Sequence, residues 1–257
     1  NEDLAATAIW GTQQTNLAGQ GKYDGVTSRW YGKGPGVDRS GDVLRHANLA
    51  GTSERGGVVA FFGDDHSCKS SSIPHQSEHV MIGCGIPIFY PTSIQQILDL
   101  GAHAVAMSRF AGVWTSMKLV SEIVETSASV HVDLDRVTPV LPQNIQMPED
   151  GVNIRWPDHG IQQEERLYKY RLPAVLAYAR ENQLNQVTWH CPDARIGIAA
   201  SGKGYLDTIE ALRILGIEGE IAQQLGLRVY QVTLIWPLEP QGLREFAEGF
   251  EEMIVVE

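Results

Sequence analysis

Apolar and polar positions recur at helical spacing over residues 2–17, EDLAATAIWGTQQTNL, and AGQGKYDG then ends the pattern. A short strand is expected over GVTSRWY (25–31), then a glycine loop from Gly32 to Gly36, then a helix over SGDVLRHANLAGT (40–52). GGVVAFFGDD (56–65) is a glycine-bounded apolar run, the pattern of a strand buried on both faces of a parallel sheet. IPIFYPTS (86–93) is a second such run, and its PTS ending suits the N-cap of a helix over IQQILDLG (94–101). Helical spacing is read from residue 103 to 128, ahead of a strand VHVDLD (130–135).

The pattern changes at residue 138. Pro139, Pro142, Pro148 and Pro157 fall within 138–160, which reads as an ordered linker. A helix over EERLYKYRLPAVLAYARENQ follows, with Pro173 expected to kink it. The remainder has a β-α-β grammar: strand RIGIAAS, helix GYLDTIEALRILG, strand LRVYQVTLIWPL, helix PQGLREFAEGF and strand MIVVE. Strands alternating with helices predict an α/β fold with mostly parallel sheets, divided into a domain 1–137, a linker 138–160 and a smaller domain 161–257.

Composition narrows the function classes. The 257 residues carry 31 acidic and 20 basic side chains, a net charge of -11, which argues against nucleic-acid or anionic-membrane partners. No apolar run reaches spanning length. Cys68, Cys84 and Cys191 form no C-x-x-C pair, which fits a reducing cytoplasm and argues against a cluster or structural zinc site built from this chain. The chain opens without Met in a helical pattern and ends on a strand, so it reads as a segment of a longer polypeptide.

Several stretches carry candidate chemistry. HQSEH (75–79) matches the inverted zinc-protease pattern, but Pro74 precedes it and no third ligand follows, so a polar segment near a cleft is the favoured reading. GIAASGKG (197–204) has Gly204 where a P-loop needs Ser or Thr, which removes the metal hydroxyl; what remains is a tight turn able to meet an anion or another domain. GDDHSC places Asp64, Asp65 and His66 at the carboxyl end of an expected central strand, where ligand sites of open α/β sheets gather. The glycine-dense WYGKGPG lets backbone amides approach a ligand closely, although it is not a G-x-G-x-x-G fingerprint.

Together, NEDLAATAIWGTQQTNL, KYDGVTSRWYGKGPGVDRSGDVLRHAN, GDDHSCKSSSIPHQSEH and RIGIAASGKGYLDTIEALRILG resemble the 2-oxoacid:ferredoxin oxidoreductases, most closely the fused bacterial indolepyruvate enzymes. The resemblance implies a thiamine-pyrimidine-binding domain followed by a transketolase-C-terminal-like domain. It also implies oxidative decarboxylation of an aryl pyruvate to an acyl-CoA, with electrons passed to ferredoxin. Glu2 would accept the hydrogen bond from N1′ of the aminopyrimidine, so that the 4′-imino nitrogen can take the proton from C2. Without the resemblance, a Glu in the first turn of a helix is explained by the helix dipole alone.

The same resemblance places Gly32, Lys33, Gly34 and Gly36 at the cofactor, and Arg39, Asp64, Asp65, Lys69, His75 and Gln76 toward the oxoacid, one of Lys33, Arg39 or Lys69 meeting its carboxylate. The diphosphate–Mg²⁺ motif, G-D-G with a following Asn, and the cysteine runs for [4Fe-4S] clusters have no counterpart here. Those groups would belong to other domains of a cytoplasmic, homo-oligomeric protein, and this chain would be inactive alone. A transketolase-type enzyme and a non-catalytic α/β assembly module are the competing readings.

Overall fold

A computed structural model describes residues 1–19 and 21–257. Gln20, inside the break expected after the first helix, lies outside the described residues. The strands are β1 Thr27–Lys33, β2 Gly57–Asp64, β3 Ile88–Phe89, β4 Trp114–Val120, β5 Gln186–Trp189, β6 Ile196–Ser201, β7 Leu227–Val232, β8 Leu234–Trp236 and β9 Glu252–Val256. The helices are α1 Glu2–Gln14, α2 Gly34–Ala50, α3 Glu78–Gly83, α4 Ile94–Ala111, α5 Ser121–Val124, α6 Gly160–Arg166, α7 Leu172–Glu181, α8 Gly202–Ile214, α9 Gly219–Gln224 and α10 Pro240–Ala247. A π-helical turn, Leu167–Arg171, joins α6 to α7 immediately before Pro173. Such a turn accommodates a residue that has no amide to return to the preceding turn.

Two mixed, mostly parallel sheets form, in the order β1-β2-β4-β3-β8 and β5-β7-β6-β9. Only β8 in the first and β5 in the second run antiparallel to their neighbours. The α/β fold with two mostly parallel sheets is thus as expected. Alternation along β2 explains its unbroken apolar sequence. Val58, Ala60 and Phe62 pack with Ala6, Val37, Leu44 and Met81 on one face, while Val59 packs with Ala104, Met107, Val175 and Tyr178 on the other. The first sheet therefore lies between α1, α2 and α3 on one side and α4 and α7 on the other.

Several elements differ from the pattern-based expectations. The helix read over 103–128 ends at Ala111, because Gly112 adopts a left-handed conformation (φ 69) and returns its amide to Ser108 O; the buried run that follows is β4, in the middle of the sheet. A run buried on both faces carries no period-2 signal to separate it from a helix. VHVDLD is irregular, with Val132 80% and Leu134 97% exposed, so no core rewards a strand there. IPIFYPTS supplies only the two residues of β3, although Ser93 does cap α4 by accepting the Gln96 amide. The strand β5 and the helix α9 had no counterpart in the pattern.

LRVYQVTLIWPL is not one strand. It divides at Thr233, sending β7 to the second sheet and β8 back to the edge of the first. The helical run 160–181 likewise packs on the first sheet through Leu167, Leu172, Ala174, Val175 and Tyr178. The two units also meet at the turn from β6 to α8, where Gly202 (φ 47) lies against the ring of Tyr90. SGKG thus meets the other unit, and Lys203 is spent on Asp207, 2.6 Å away. Gly202→Ala is expected to cost about 1–3 kcal/mol, since it adds both a left-handed penalty and a collision. Thermal melts of Gly202→Ala with and without Tyr90→Ala check this, with part of the loss recovered in the double variant. No helix among the described residues is long and apolar enough to cross a membrane.

Candidate functional site

The expected glycine loop is a helix start. Lys33 is the N-cap of α2 with extended backbone (φ -86, ψ 175), and Gly34, Pro35 and Gly36 form the first turn. Proline presets φ for that turn, where its missing amide removes no hydrogen bond. Gly34 and Gly36 admit two side chains to the helix backbone. A Cβ on Gly34 would run into the His75 ring, and one on Gly36 would lie 2.8 Å from Cγ and 3.3 Å from Oε1 of Glu2. Gly32 is small for a different reason: a Cβ there would stand 2.8 Å from the buried ring of Trp30.

Glu2 opens α1 and is half-buried. Trp30 fixes its backbone, donating from Nε1 to the Glu2 carbonyl at 2.9 Å. The Glu2 carboxylate has no ion pair among the described residues, whereas the adjacent Asp3 pairs with Arg39 at 3.8 Å.

His75 clasps the loop after β2 to α2. Its Nε2 is 2.9 Å from Asp38 Oδ2, and its Nδ1 is 3.4 Å from Ser77 Oγ and 3.8 Å from Asp64 Oδ1. Asp64, at the carboxyl end of β2, is buried and accepts from the Ser77 amide at 3.0 Å and the Ser77 hydroxyl at 2.7 Å. Behind it lies Lys118 of β4, which contacts Glu78 directly and Asp64 Oδ2 at 3.9 Å. Burial pushes the Asp64 carboxyl above its ordinary value against the pull of Ser77 and Lys118. Burial works on Glu78 in the same direction, but the Lys118 hydrogen bond and charge prevail and hold it below the usual range.

The remaining expected site residues take other places. Asp65 turns into the loop and accepts the amides of Ser70 (2.6 Å) and Lys69 (2.9 Å), which hold its carboxyl low. Lys33 Nζ braces the same loop through Ser70 O (2.6 Å) and Ser71 Oγ (3.2 Å). Lys69 pairs with Glu125 at 3.8 Å. Gln76 lines a cleft of about 750 Å³ between the two sheets, with Glu78, His79, Tyr90, Lys118 and Lys203. The structure therefore gathers Glu2, Gly34, Gly36, His75 and Asp64, and commits Lys33, Arg39 and Lys69 to protein carboxylates and carbonyls. Asp38, Ser77, Glu78 and Lys118 were absent from the sequence-based set. Ser77 and Glu78 lie inside the HQSEH match, and a lone Lys within the otherwise largely apolar VWTSMKLV is the signal that marks Lys118.

This arrangement has relatives. An indolepyruvate oxidoreductase domain model matches residues 186–257. The indolepyruvate oxidoreductase subunit IorA of Methanothermobacter marburgensis is 24% identical over 91% of this chain and 36% of its own length. That of Pyrococcus abyssi is 27% identical over 79% of this chain and 30% of its own. Among solved structures, a 2-oxoglutarate:ferredoxin oxidoreductase from Magnetococcus marinus superposes with a TM-score of 0.67 at 12% identity, over 99% of this chain and 48% of that one. In sequence and fold the chain is thus similar to 2-oxoacid:ferredoxin oxidoreductases. It spans about a third of the length of the curated family members it matches. A split-gene transketolase, an inactive β4 tetramer, shares the fold with a TM-score of 0.58 at 10% identity, over 99% of this chain and 62% of that one. This likeness in fold is consistent with a transketolase C-terminal-like second unit.

Proposed function

We propose that this chain forms the pyrimidine-facing wall of the active site in a thiamine-diphosphate-dependent indolepyruvate:ferredoxin oxidoreductase. The observation that carries the reading is the half-buried Glu2 carboxylate, without an ion pair among the described residues and packed on the Cβ-free backbone of Gly36. That carboxylate is free to accept a ring N–H, and the glycine pair lets Glu2 and His75 lie against the helix start, so the residues present fit thiamine's pyrimidine end. Glu2 would hold a proton between its Oε and the ring nitrogen, and the Trp30 bond to its backbone keeps that oxygen in place. His75 and Asp64 would keep the loop over the helix start. When bound, thiamine diphosphate supplies the carbon nucleophile and the electron sink for decarboxylation.

Within this proposal the diphosphate and Mg²⁺ are held by another domain of the full protein, which also carries the [4Fe-4S] clusters, and coenzyme A and ferredoxin serve as acyl and electron acceptors. A cytoplasmic homo-oligomer completes the reading, in keeping with three free cysteines. The boundary between the two units is proposed to fall near Gln186, since 160–181 packs on the first sheet.

Glu2→Gln in the full-length protein is expected to reduce indolepyruvate-dependent ferredoxin reduction by about 10²-fold or more. The rate of deuterium exchange at thiamine C2 should fall with it, while the melting temperature stays the same. Full activity in that variant would remove the basis of the proposal.

A further inference from the structure

A second cleft, of about 680 Å³, opens between the end of α7, the strands β5 and β7, and α10, apart from Glu2. Tyr230 lines it. Tyr230 is only 2% exposed, and its hydroxyl has no hydrogen-bond partner among the described residues. A buried phenol that is left unpaired forfeits its hydration without return, so it calls for a partner. Gly242 keeps the space before it clear, because a Cβ there would lie 3.0 Å from the hydroxyl and 3.1 Å from Glu239 Oε2.

The formal charges lining this cleft are unevenly matched. Arg180 and Glu239 satisfy one another at 2.6 Å, and the Glu239 carboxylate also caps α10 by accepting the Gln241 and Gly242 amides. Arg228 donates only to backbone carbonyls, those of Cys191 (2.8 Å), Phe246 (3.0 Å) and Pro192 (3.4 Å). Glu245 accepts from the Gln241 side chain at 2.8 Å. Among the described residues neither Arg228 nor Glu245 has an ion-pair partner within 4.0 Å. The cleft thus presents one cation without an anion, one anion without a cation, and a spare hydroxyl.

We propose that this cleft binds a small zwitterion of the α-amino-acid type, its ammonium held by Tyr230 Oη and Glu245 and its carboxylate directed to Arg228. Each unmatched group then gains a partner of the right sign, and the ligand's two charges neutralise the two left on the protein. Balanced lining charges disfavour a polyphosphate, which needs net positive surroundings. Burial first, and then the negative fields of Glu239 and Glu245, push the Tyr230 phenol up to about 12, so at neutral pH it is an uncharged hydroxyl in a field that favours an ammonium group.

Calorimetry and thermal melts of the full-length protein with phenylalanine and glutamine test the site, with phenethylamine and hydrocinnamate as singly charged controls. Both zwitterions are expected to bind and raise the melting temperature, and the controls to bind about tenfold more weakly or less. Tyr230→Phe should leave the ligand-free melting temperature unchanged or higher, because the hydroxyl it removes is unpaired, and weaken binding by about tenfold. Glu245→Gln should weaken ammonium binding in the same way. The proposal is overturned if neither zwitterion binds at about 10 mM, well above the millimolar Kd that a few such contacts supply. Equal binding of the singly charged controls overturns it as well, as does a Tyr230→Phe variant that loses stability or keeps full affinity. Glu2→Gln should leave this binding intact, which keeps the outcome separate from that of the thiamine proposal.

Discussion

Lys118→Met is expected to lower stability by about 3–5 kcal/mol at neutral pH, seen as an earlier urea midpoint at unchanged slope. Lys118 stands on the central strand β4, paired in register with Phe62 of β2, and is 4% exposed. Its ammonium lies between two carboxylates that are themselves largely buried, those of Glu78 and Asp64. Methionine fills the same volume, so the loss comes from two acids left in a poorly solvated site rather than from a cavity. Glu78→Gln in the same background is expected to return much of the loss, because it removes one of the stranded charges.

The two acids respond to pH in opposite senses, which gives the prediction a second arm. Glu78 titrates below its ordinary value, so its contribution is present above the ordinary carboxylate range and is lost as pH falls through the lowered folded value. Asp64 titrates above its ordinary value; its penalty is in force above that raised value and disappears as pH falls below the unfolded one. Without Lys118 both are expected to titrate high. The gap between wild type and Lys118→Met should therefore narrow as pH falls from about 8 to about 5. A gap that stayed constant would assign the loss to packing. The same substitution should loosen the loop from Asp65 to Ser77, because Asp64 holds Ser77, and His75 bears on both. Hydrogen exchange of that segment reports it.

The sequence displayed the parts of this arrangement unevenly, for reasons visible in particular residues. The strand β2 was legible because glycines bound it and no helix adjoins its apolar run. The strand β4 was hidden, because the helix α4 ends at Ala111, only two residues before it, and β4 is buried on both faces and so shows no period-2 alternation. Gly34, Pro35 and Gly36 are turn signals when counted as residue types, yet Pro35 is also favoured in the first turn of a helix, and there the packing of Glu2 and His75 decides. Neither helical spacing nor charge singled out Glu2; only its resemblance to a family motif did. Asp38 and Lys118 gain their importance from contacts across 37 and 40 residues of chain, and Ser77 from contacts across 13, which local pattern does not record. The split of LRVYQVTLIWPL between two sheets is of the same kind, since either half is a good strand and only the tertiary arrangement sends them apart.

Arg171→Met should be as damaging as Lys118→Met, and distinguishable from it by pH. Arg171 is 1% exposed and donates to four backbone carbonyls, those of Val152 (2.7 Å), Asn48 (3.2 Å), Leu49 (2.8 Å) and Ala50 (3.0 Å). Three of these end α2, where a helix has no amides left to offer, so the guanidinium serves as a C-terminal cap supplied from the π-helical turn. The fourth ties in the segment before α6. Met restores the volume but strands the carbonyls, and at about 1 kcal/mol or more for each buried acceptor left unpaired the expected loss is about 3–5 kcal/mol. Lysine keeps the charge but reaches fewer carbonyls, so Arg171→Lys should recover less than half of that loss. Burial pushes the guanidinium down to about 9, which leaves it charged at neutral pH. For a base whose folded value is depressed, stability declines as pH falls from the ordinary value to the folded one and is level below it. The loss in Arg171→Met should accordingly be the same at pH of about 5 and about 8 in urea melts, where that of Lys118→Met shrinks. A pH-dependent loss at Arg171 would mean that a carboxylate, not the four carbonyls, is its working partner.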